Sequence, residues 1–145
     1  LKNIAFVDIS KNALEIAKLN AKKHDIQNAE FFCSNYFYQL ETREYDAILC
    51  NPPYISRLDI DLISPETLAY EPHLALFAEN LGMEAYEIIA NSAKPYLKPG
   101  GILILEAGYD QSQKLKNLFE AAGFEFIKLY KDLSLIDRCL VFRKN

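Results

Sequence analysis

Asp46-Ala47-Ile48-Leu49-Cys50, followed at once by Asn51-Pro52-Pro53-Tyr54, is the stretch on which the fold turns. The first five residues read as a buried strand. Two prolines then stop it, because proline lacks the N–H a central ladder needs and fixes its own φ. Upstream, Ile4-Ala5-Phe6-Val7-Asp8 reads as another buried strand with an acidic end. Ser10 is a natural N-cap, and Ala13, Ile16, Ala17 and Asn20 begin a helical stripe that runs to about His24. A strand over 29–33 follows, and 34–44 reads as loop with room for one helical turn.

Downstream, residues 55–80 show no clear period. Compact domains rarely carry so long an irregular segment without a use for it, so it reads as a substrate lid or binding loop. A helix is expected over 83–97, with Ala85, Ile88, Ile89, Ser92 and Ala93 toward the core. Pro99-Gly100-Gly101 reads as a turn, 102–106 as a strand, and 111–122 as an amphipathic helix ended by Gly123. Strands over 124–130 and 138–143 close the chain. Strands alternating with helices predict an α/β domain with a mostly parallel sheet covered on both faces. The two consecutive strands at the end predict an antiparallel hairpin. The whole of 1–145 reads as one domain, without repeats or linkers.

Composition narrows the function. The chain has 145 residues, 50% hydrophobic and 25% charged, an ordinary balance for a globular domain. No apolar run is long enough to span a bilayer and no signal-peptide pattern opens it, so no membrane role is expected and the cytoplasm is the default location. Cys33, Cys50 and Cys139 form no CxxC pair and read as buried, reduced thiols. With only His24 and His73 available, an imidazole or thiolate metal site has little support. Net charge is −4 and the cations are scattered, so no face suited to gripping nucleic-acid phosphates is expected.

In open α/β sheets, ligands sit beyond the carboxyl ends of the strands. Asp8, Ser34-Asn35-Tyr36 and Asn51 to Tyr54 all share that address. An acidic residue there can accept both ribose hydroxyls, a short polar residue can reach an adenine amino group, and an aromatic can pack on the ring. Each also has a duller reading: Asp8 as a cap, Ser34-Asn35 as turn chemistry, Tyr36 and Phe37 as core. Asn-Pro-Pro-Tyr is sharper. The Asn51 side-chain oxygen and the Pro52 carbonyl can each accept one N–H of a planar nitrogen. Accepting both raises electron density on that nitrogen and aligns it for in-line attack on a sulfonium methyl. Pro52 and Pro53 preset the backbone, and Tyr54 offers a face on which a planar group stacks.

These residues resemble the class I methyltransferases with an Asn/Asp/Ser-Pro-Pro-aromatic motif. More specifically, the chain resembles the HemK/PrmC family of release-factor glutamine methyltransferases. The likeness runs from Phe6-Val7-Asp8-Ile9-Ser10 with Ala17-Asn20-Ala21, through Asn51-Pro52-Pro53-Tyr54-Ile55, to Tyr70-Glu71-Pro72 with Ala75-Leu76 and Gly82. Leu105-Glu106-Ala107-Gly108, Asp132-Leu133 and Asp137-Arg138 complete it. The Glu-Pro segment and the closing segment point to the glutamine branch rather than to adenine methyltransferases.

The resemblance implies that S-adenosylmethionine is the cofactor, with Asp8 at its ribose, Asn35 and Tyr36 at its adenine and Asn51 beside its methyl. It implies that Asn51, Pro52, Pro53 and Tyr54 hold the substrate glutamine, within the Gly-Gly-Gln loop of a peptide-chain release factor. Three departures stand out. Asn35 occupies a usually acidic position, and Leu135 one where glycine is common. The Gly-rich turn of the family, with its strand and helix, does not precede Phe6, nor does the N-terminal recognition domain; Leu1 is not an initiator methionine. The reading is therefore of a partial catalytic domain, expected to be inactive and to bind S-adenosylmethionine weakly or not at all on its own. Absence of the family's central strand should leave a gap, a re-paired sheet or an exposed edge open to self-association. Two other readings stay open: an adenine-N6 methyltransferase acting on DNA or RNA with the same Asn51 to Tyr54 machinery, and a non-catalytic methyltransferase-like binding module.

Overall fold

The computed structural model describes residues 3–41 and 43–145. They fall into two compact units, Leu1–Thr42 and Arg43–Asn145.

The first unit is a β-α-β element. Strand β1 (Ile4–Asp8) and strand β2 (Ala29–Cys33) pair in parallel, with Ile4 opposite Ala29 and Asp8 opposite Cys33. Phe6 faces Phe31 across this ladder, their rings stacked with centroids 5.2 Å apart. Helix α1 (Lys11–Lys23) joins the strands. The Ser10 hydroxyl accepts from the Ala13 N–H at 3.2 Å, which satisfies one of the donors a helix start leaves open. Lys22 and Lys23 sit in the last turn, where cations suit the dipole. The buried stripe is Leu14 and Ala21 with Ala17 half-buried between them; Ala13, Ile16 and Asn20, the other members of the expected face, are exposed. Leu14 and Ala21 lie two turns apart on one side, which is the side the two-stranded sheet can cover.

The second unit holds a four-stranded sheet of β3 (Tyr45–Cys50), β6 (Leu97–Glu106), β8 (Asp137–Lys144) and β7 (Phe124–Lys131), in the order β3-β6-β8-β7. β3 and β6 are parallel, and β8 is antiparallel to both β6 and β7. One strand thus runs against the rest, as the terminal hairpin predicted, though β8 inserts inside the sheet and leaves β7 at the edge. β3 is the other edge, and β1 belongs to a different sheet.

Alternation along β6 and β8 builds the core. Leu103, Leu105, Leu140 and Phe142 are fully or almost fully buried on one face. Helix α6 (Ser112–Ala121) brings Leu115 and Phe119 down on them, one turn apart. The Phe119 and Phe142 rings stack at 4.9 Å, and Phe126 meets Phe142 edge-on at 5.7 Å. Helix α5 (Glu84–Ser92) adds Ala85, Tyr86, Ile89 and Ala90. It stops short of the expected residue 97 because Pro95 follows, and Lys94–Tyr96 tighten into a 3-10 turn. Tyr45 pairs with Leu97 and Ala47 with Ile102, so Lys98 to Gly101 loop out of β6 as a bulge. The expected Pro-Gly-Gly turn is this bulge, with Gly100 at φ +76°.

Segment 55–80 is more regular than its sequence suggests. It holds a 3-10 turn over Arg57–Leu62, helix α2 (Pro65–Tyr70) and helix α3 (His73–Leu76). Its ends meet: β4 (Ile55–Ser56) pairs in parallel with β5 (Phe77–Ala78). Ser56 and Ser64 cap the two first elements through their hydroxyls, a signal of short helices that periodicity cannot show in so few residues. After β5 comes the single turn α4 (Glu79–Gly82), in which Asn80, Leu81 and Gly82 all take positive φ. The cysteines are less buried than expected: Cys33 is exposed, and Cys50 and Cys139 are half-buried.

Leu135 explains its own oddity. It lies in the turn between β7 and β8 at φ +62°, where a side chain crowds the backbone and glycine does not. Its side chain is exposed and contributes little in return. Leu135→Gly should therefore raise stability by about 0.5–1 kcal/mol, net of the extra entropy of an unfolded glycine; an unchanged or lower urea midpoint would contradict this. Leu103→Ala should cost about 3 kcal/mol as a core deletion, whereas Leu49→Ala, on the exposed edge strand, should stay within about 0.5 kcal/mol. Equal urea midpoints for the two variants would place the core wrongly.

Candidate functional site

The second unit builds its site where β3 and β6 end side by side. The parallel register sets Cys50 opposite Leu105, so Asn51 and Glu106 leave their strands at the same level. Asn51 is exposed, Pro52 is buried, and Pro53 and Tyr54 are half-buried. Pro52 has no N–H, so its burial leaves no backbone donor unpaired.

Tyr54 is held at both ends. Its hydroxyl donates to Glu106 Oε1 at 3.0 Å, and its carbonyl accepts from Gln111 Nε2 at 3.0 Å. The Tyr86 hydroxyl donates to the Glu106 carbonyl at 2.7 Å, which anchors the end of β6 to α5. Arg138 donates through Nη1 to the Ala107 carbonyl and pairs through Nε with Asp132 Oδ2, both at 3.1 Å. Asp132 in turn accepts from the Ser134 and Ile136 N–H groups, so its carboxylate organises the β7–β8 turn as well. Of these, Glu106, Asp132 and Arg138 border an open cavity of about 690 Å³, lined also by Leu49, Cys50, Asn51, Ile104 and Cys139.

Electrostatics here favour neutral phenols and thiols. Partial burial raises the Tyr54 pKa, and the Glu106 carboxylate adds to this while Arg138 opposes it. Burial raises Tyr86 as well, with the charges of Tyr54 and Glu106 acting in the same direction. Burial alone pushes the Cys50 thiol up to about 11, so it is a poor nucleophile at neutral pH. Hydrogen bonds from the Ile136 N–H and from Arg138 hold Asp132 below the usual carboxylate range.

The first unit gathers the other expected residues. Asp8 ends β1 beside Cys33, the last residue of β2, so it neighbours the Ser34-Asn35-Tyr36 turn. The Ser34 N–H donates to the Asp8 carbonyl at 3.0 Å. Ser34 is buried, donates to the Tyr36 carbonyl and accepts from the Gln39 N–H. Tyr36 sits at φ +50°, and the Asn35 N–H is tied to Gln39 Oε1 at 2.9 Å. Asp8 remains exposed, though Oδ1 accepts from the Ser10 N–H at 2.7 Å. The local capping role and the strand-end address are both present. Among the described residues, each unit carries one of the two clusters.

Glu106, Gln111 and Arg138 were not singled out as site residues from the sequence. Glu106 obeys the same rule that selected Asp8, a carboxylate at the carboxyl end of a buried strand, so the signal existed. Gln111 carried none, since its partner lies 57 positions away.

A family model for the methyltransferase small domain matches residues 1–70. A release factor glutamine methyltransferase of Coxiella burnetii is 42% identical over 138 residues, covering 95% of this chain and 49% of that protein. A bifunctional methyltransferase of Rickettsia typhi is 41% identical over 139 residues, covering 95% of this chain and 27% of that protein. The chain thus spans about half the length of the first relative and about a quarter of the second. Among solved structures, a methyltransferase from Pyrococcus furiosus superposes with a TM-score of 0.72 at 16% identity, covering 99% of this chain and 63% of that one. The α/β architecture expected from the strand order is present, and the likeness to this structure bears out the Rossmann-like methyltransferase fold that the family resemblance implied.

Tyr54 and Tyr86 give a pH test. Their folded pKa values lie above the unfolded value near 10, so their neutral forms favour the folded state. That contribution is intact below pH of about 10 and is lost as pH rises, because the unfolded phenols ionise first. The urea midpoint should fall between about pH 9 and pH 11, and Tyr54→Phe should shrink the fall. An identical fall in the variant would contradict the assignment.

Proposed function

We propose that this chain, a homologue of the release factor glutamine methyltransferases, carries the nitrogen-presenting part of such an enzyme's active site. The substrate is the side-chain amide of the glutamine in the Gly-Gly-Gln loop of a peptide-chain release factor, and the setting is the cytoplasm. The observation that carries this reading is the constrained Asn51-Pro52-Pro53-Tyr54 segment at the parallel strand ends, with Tyr54 held at both its hydroxyl and its carbonyl.

An amide nitrogen is a weak nucleophile because its lone pair is delocalised into the carbonyl. Asn51 and the Pro52 carbonyl accept its two N–H hydrogens and orient the nitrogen, while the Tyr54 face supports the planar group. Preset acceptors need no reorganisation at the moment of reaction, which is where most of their value lies. The cluster in the first unit fits the adenosine part of S-adenosylmethionine: Asp8 is an exposed carboxylate, and the backbone turn at Asn35-Tyr36 is fixed beside it by Ser34 and Gln39. Asp8 would take the ribose hydroxyls, with Asn35 and Tyr36 at the adenine. When bound, the cofactor supplies an electrophilic sulfonium methyl. Segment 55–80 acts as the substrate lid, its base pinned by the β4–β5 bridge directly after Tyr54.

The test is labelled methyl transfer in a full-length version, offered release factor, tRNA and DNA in parallel. Label should enter the release factor, and Asn51→Ala should lower turnover by about a hundredfold or more. Label in tRNA or DNA would replace this reading with adenine methylation. Unchanged turnover in Asn51→Ala would remove the catalytic assignment.

A further inference from the structure

We infer that Gln111 is a positioning residue for the Asn51-Pro52-Pro53-Tyr54 motif, acting through the Tyr54 backbone; this rests on the glutamine-presenting reading of that motif. Gln111 is only 4% exposed and sits where α6 begins. Its carboxamide is fully used. Nε2 donates to the Tyr54 carbonyl at 3.0 Å and reaches the Gly82 carbonyl at 3.5 Å, while Oε1 accepts from the Gly108 N–H at 3.0 Å. A buried amide is costly unless its donors and acceptor are all engaged, so the three contacts fix one another.

The surroundings are shaped for this bracket. A Cβ on Gly82 would overlap the Tyr54 carbonyl oxygen, and Gly82 itself takes φ +80°. A Cβ on Gly108 would lie 2.6 Å from Gln111 Oε1 and 3.3 Å from Tyr54 Cδ2. Two glycines therefore make room for one glutamine against one tyrosine. Asn80 and Leu81 also adopt left-handed conformations, an unfavourable choice for non-glycine residues, and the turn they form delivers Gly82 to this place. The base of the bracket is rigid. The Leu115 N–H bonds the Gln111 carbonyl at 2.9 Å, and Leu115 and Phe119 lock α6 into the core with no exposure.

Gln111 does not touch the place where a substrate nitrogen would lie. It sets where the motif ends, while Glu106 sets where the Tyr54 ring points. Displacing a reactive arrangement by about 1 Å can cost roughly a hundredfold in rate, so such a support is a large lever on turnover and a small one on affinity.

Two variants separate hydrogen bonding from packing. Gln111→Met keeps the shape and removes every bond. Gln111→Glu keeps the acceptor and, as a carboxylate, lacks the proton for the Tyr54 carbonyl; on protonation it regains that O–H donor. In carbon-13 NMR of this chain, the Tyr54 carbonyl and ring signals should shift and broaden in Gln111→Met, with those of Phe119 and Phe142 unchanged. In Gln111→Glu they should move back toward the wild-type positions as pH falls, with no such trend in wild type or Gln111→Met. In the full-length version, Gln111→Met should lower kcat by about tenfold to a hundredfold with KM for the release factor nearly unchanged. Unmoved Tyr54 signals, or a Gln111→Glu protein without the pH-dependent return, would overturn the inference. So would normal kcat in Gln111→Met alongside an inactive Asn51→Ala. If Gln111→Met does not fold, the Gln111→Glu titration decides alone. Turnover unaffected by Asn51→Ala would instead sink the motif's catalytic reading, leaving the Tyr54 signals to judge the bracket.

Discussion

The parallel ladder between β3 and β6 is the constraint from which the site follows. In an antiparallel pair, the carboxyl end of one strand meets the amino end of its neighbour. In a parallel pair both carboxyl ends arrive together, and whatever follows each strand shares one address. Cys50 opposite Leu105 therefore places Asn51-Pro52-Pro53-Tyr54 beside Glu106-Ala107-Gly108. Everything else at the site elaborates this: Tyr86 ties down the Glu106 backbone, Arg138 ties down Ala107, and β8 pairs along β6 as far as Cys139 opposite Glu106. The ladder is held from one face by Leu103, Leu105, Leu140 and Phe142 against Leu115 and Phe119, so site geometry and core packing are one problem.

Much of this was legible in the residues. The alternating strands, the helix ending at Gly123, the terminal hairpin and the halted strand at Pro52 each carry their own local signal. Strand-end polarity singled out Asp8, Asn35, Tyr36 and Asn51, and each does lie at or just beyond the carboxyl end of a strand. What escaped was of two kinds. Short elements such as Pro65–Tyr70 and His73–Leu76 are too brief for periodicity to register, and only their caps betray them. Partners such as Gln111 and Tyr54 are brought together by the packing of α6, which no local pattern reports. The α1 face was misjudged for a related reason, since Ile16 has the chemistry of a core residue but points away from the sheet that its own unit provides.

Several side chains occupy backbone conformations that suit glycine better. Tyr36, Asn80, Leu81 and Leu135 all have positive φ, and all four flank or form the turns discussed above. Such positions persist only where neighbouring contacts outweigh the local cost. At Tyr36 the buried Ser34 hydroxyl supplies one, bonding the Tyr36 carbonyl at 2.8 Å. At Asn80 the side-chain amide bonds Glu87 Oε1 at 2.6 Å. Leu135 is different in having an exposed side chain; its turn is supported instead by the backbone bond to Asp132 and by the lysine that reaches its carbonyl.

The two-residue bridge between Ile55-Ser56 and Phe77-Ala78 makes the segment between them a closed cassette. Its entry and exit are stapled together next to Tyr54, so its length and composition are insulated from the register of the sheet. A duplication, deletion or wholesale exchange of the intervening helices would leave in place the anchors of Tyr54, which lie outside the cassette at Glu106 and Gln111. On the proposed lid reading, chemistry and partner choice would be stored in separable stretches of one chain, and the second could diverge without taxing the first.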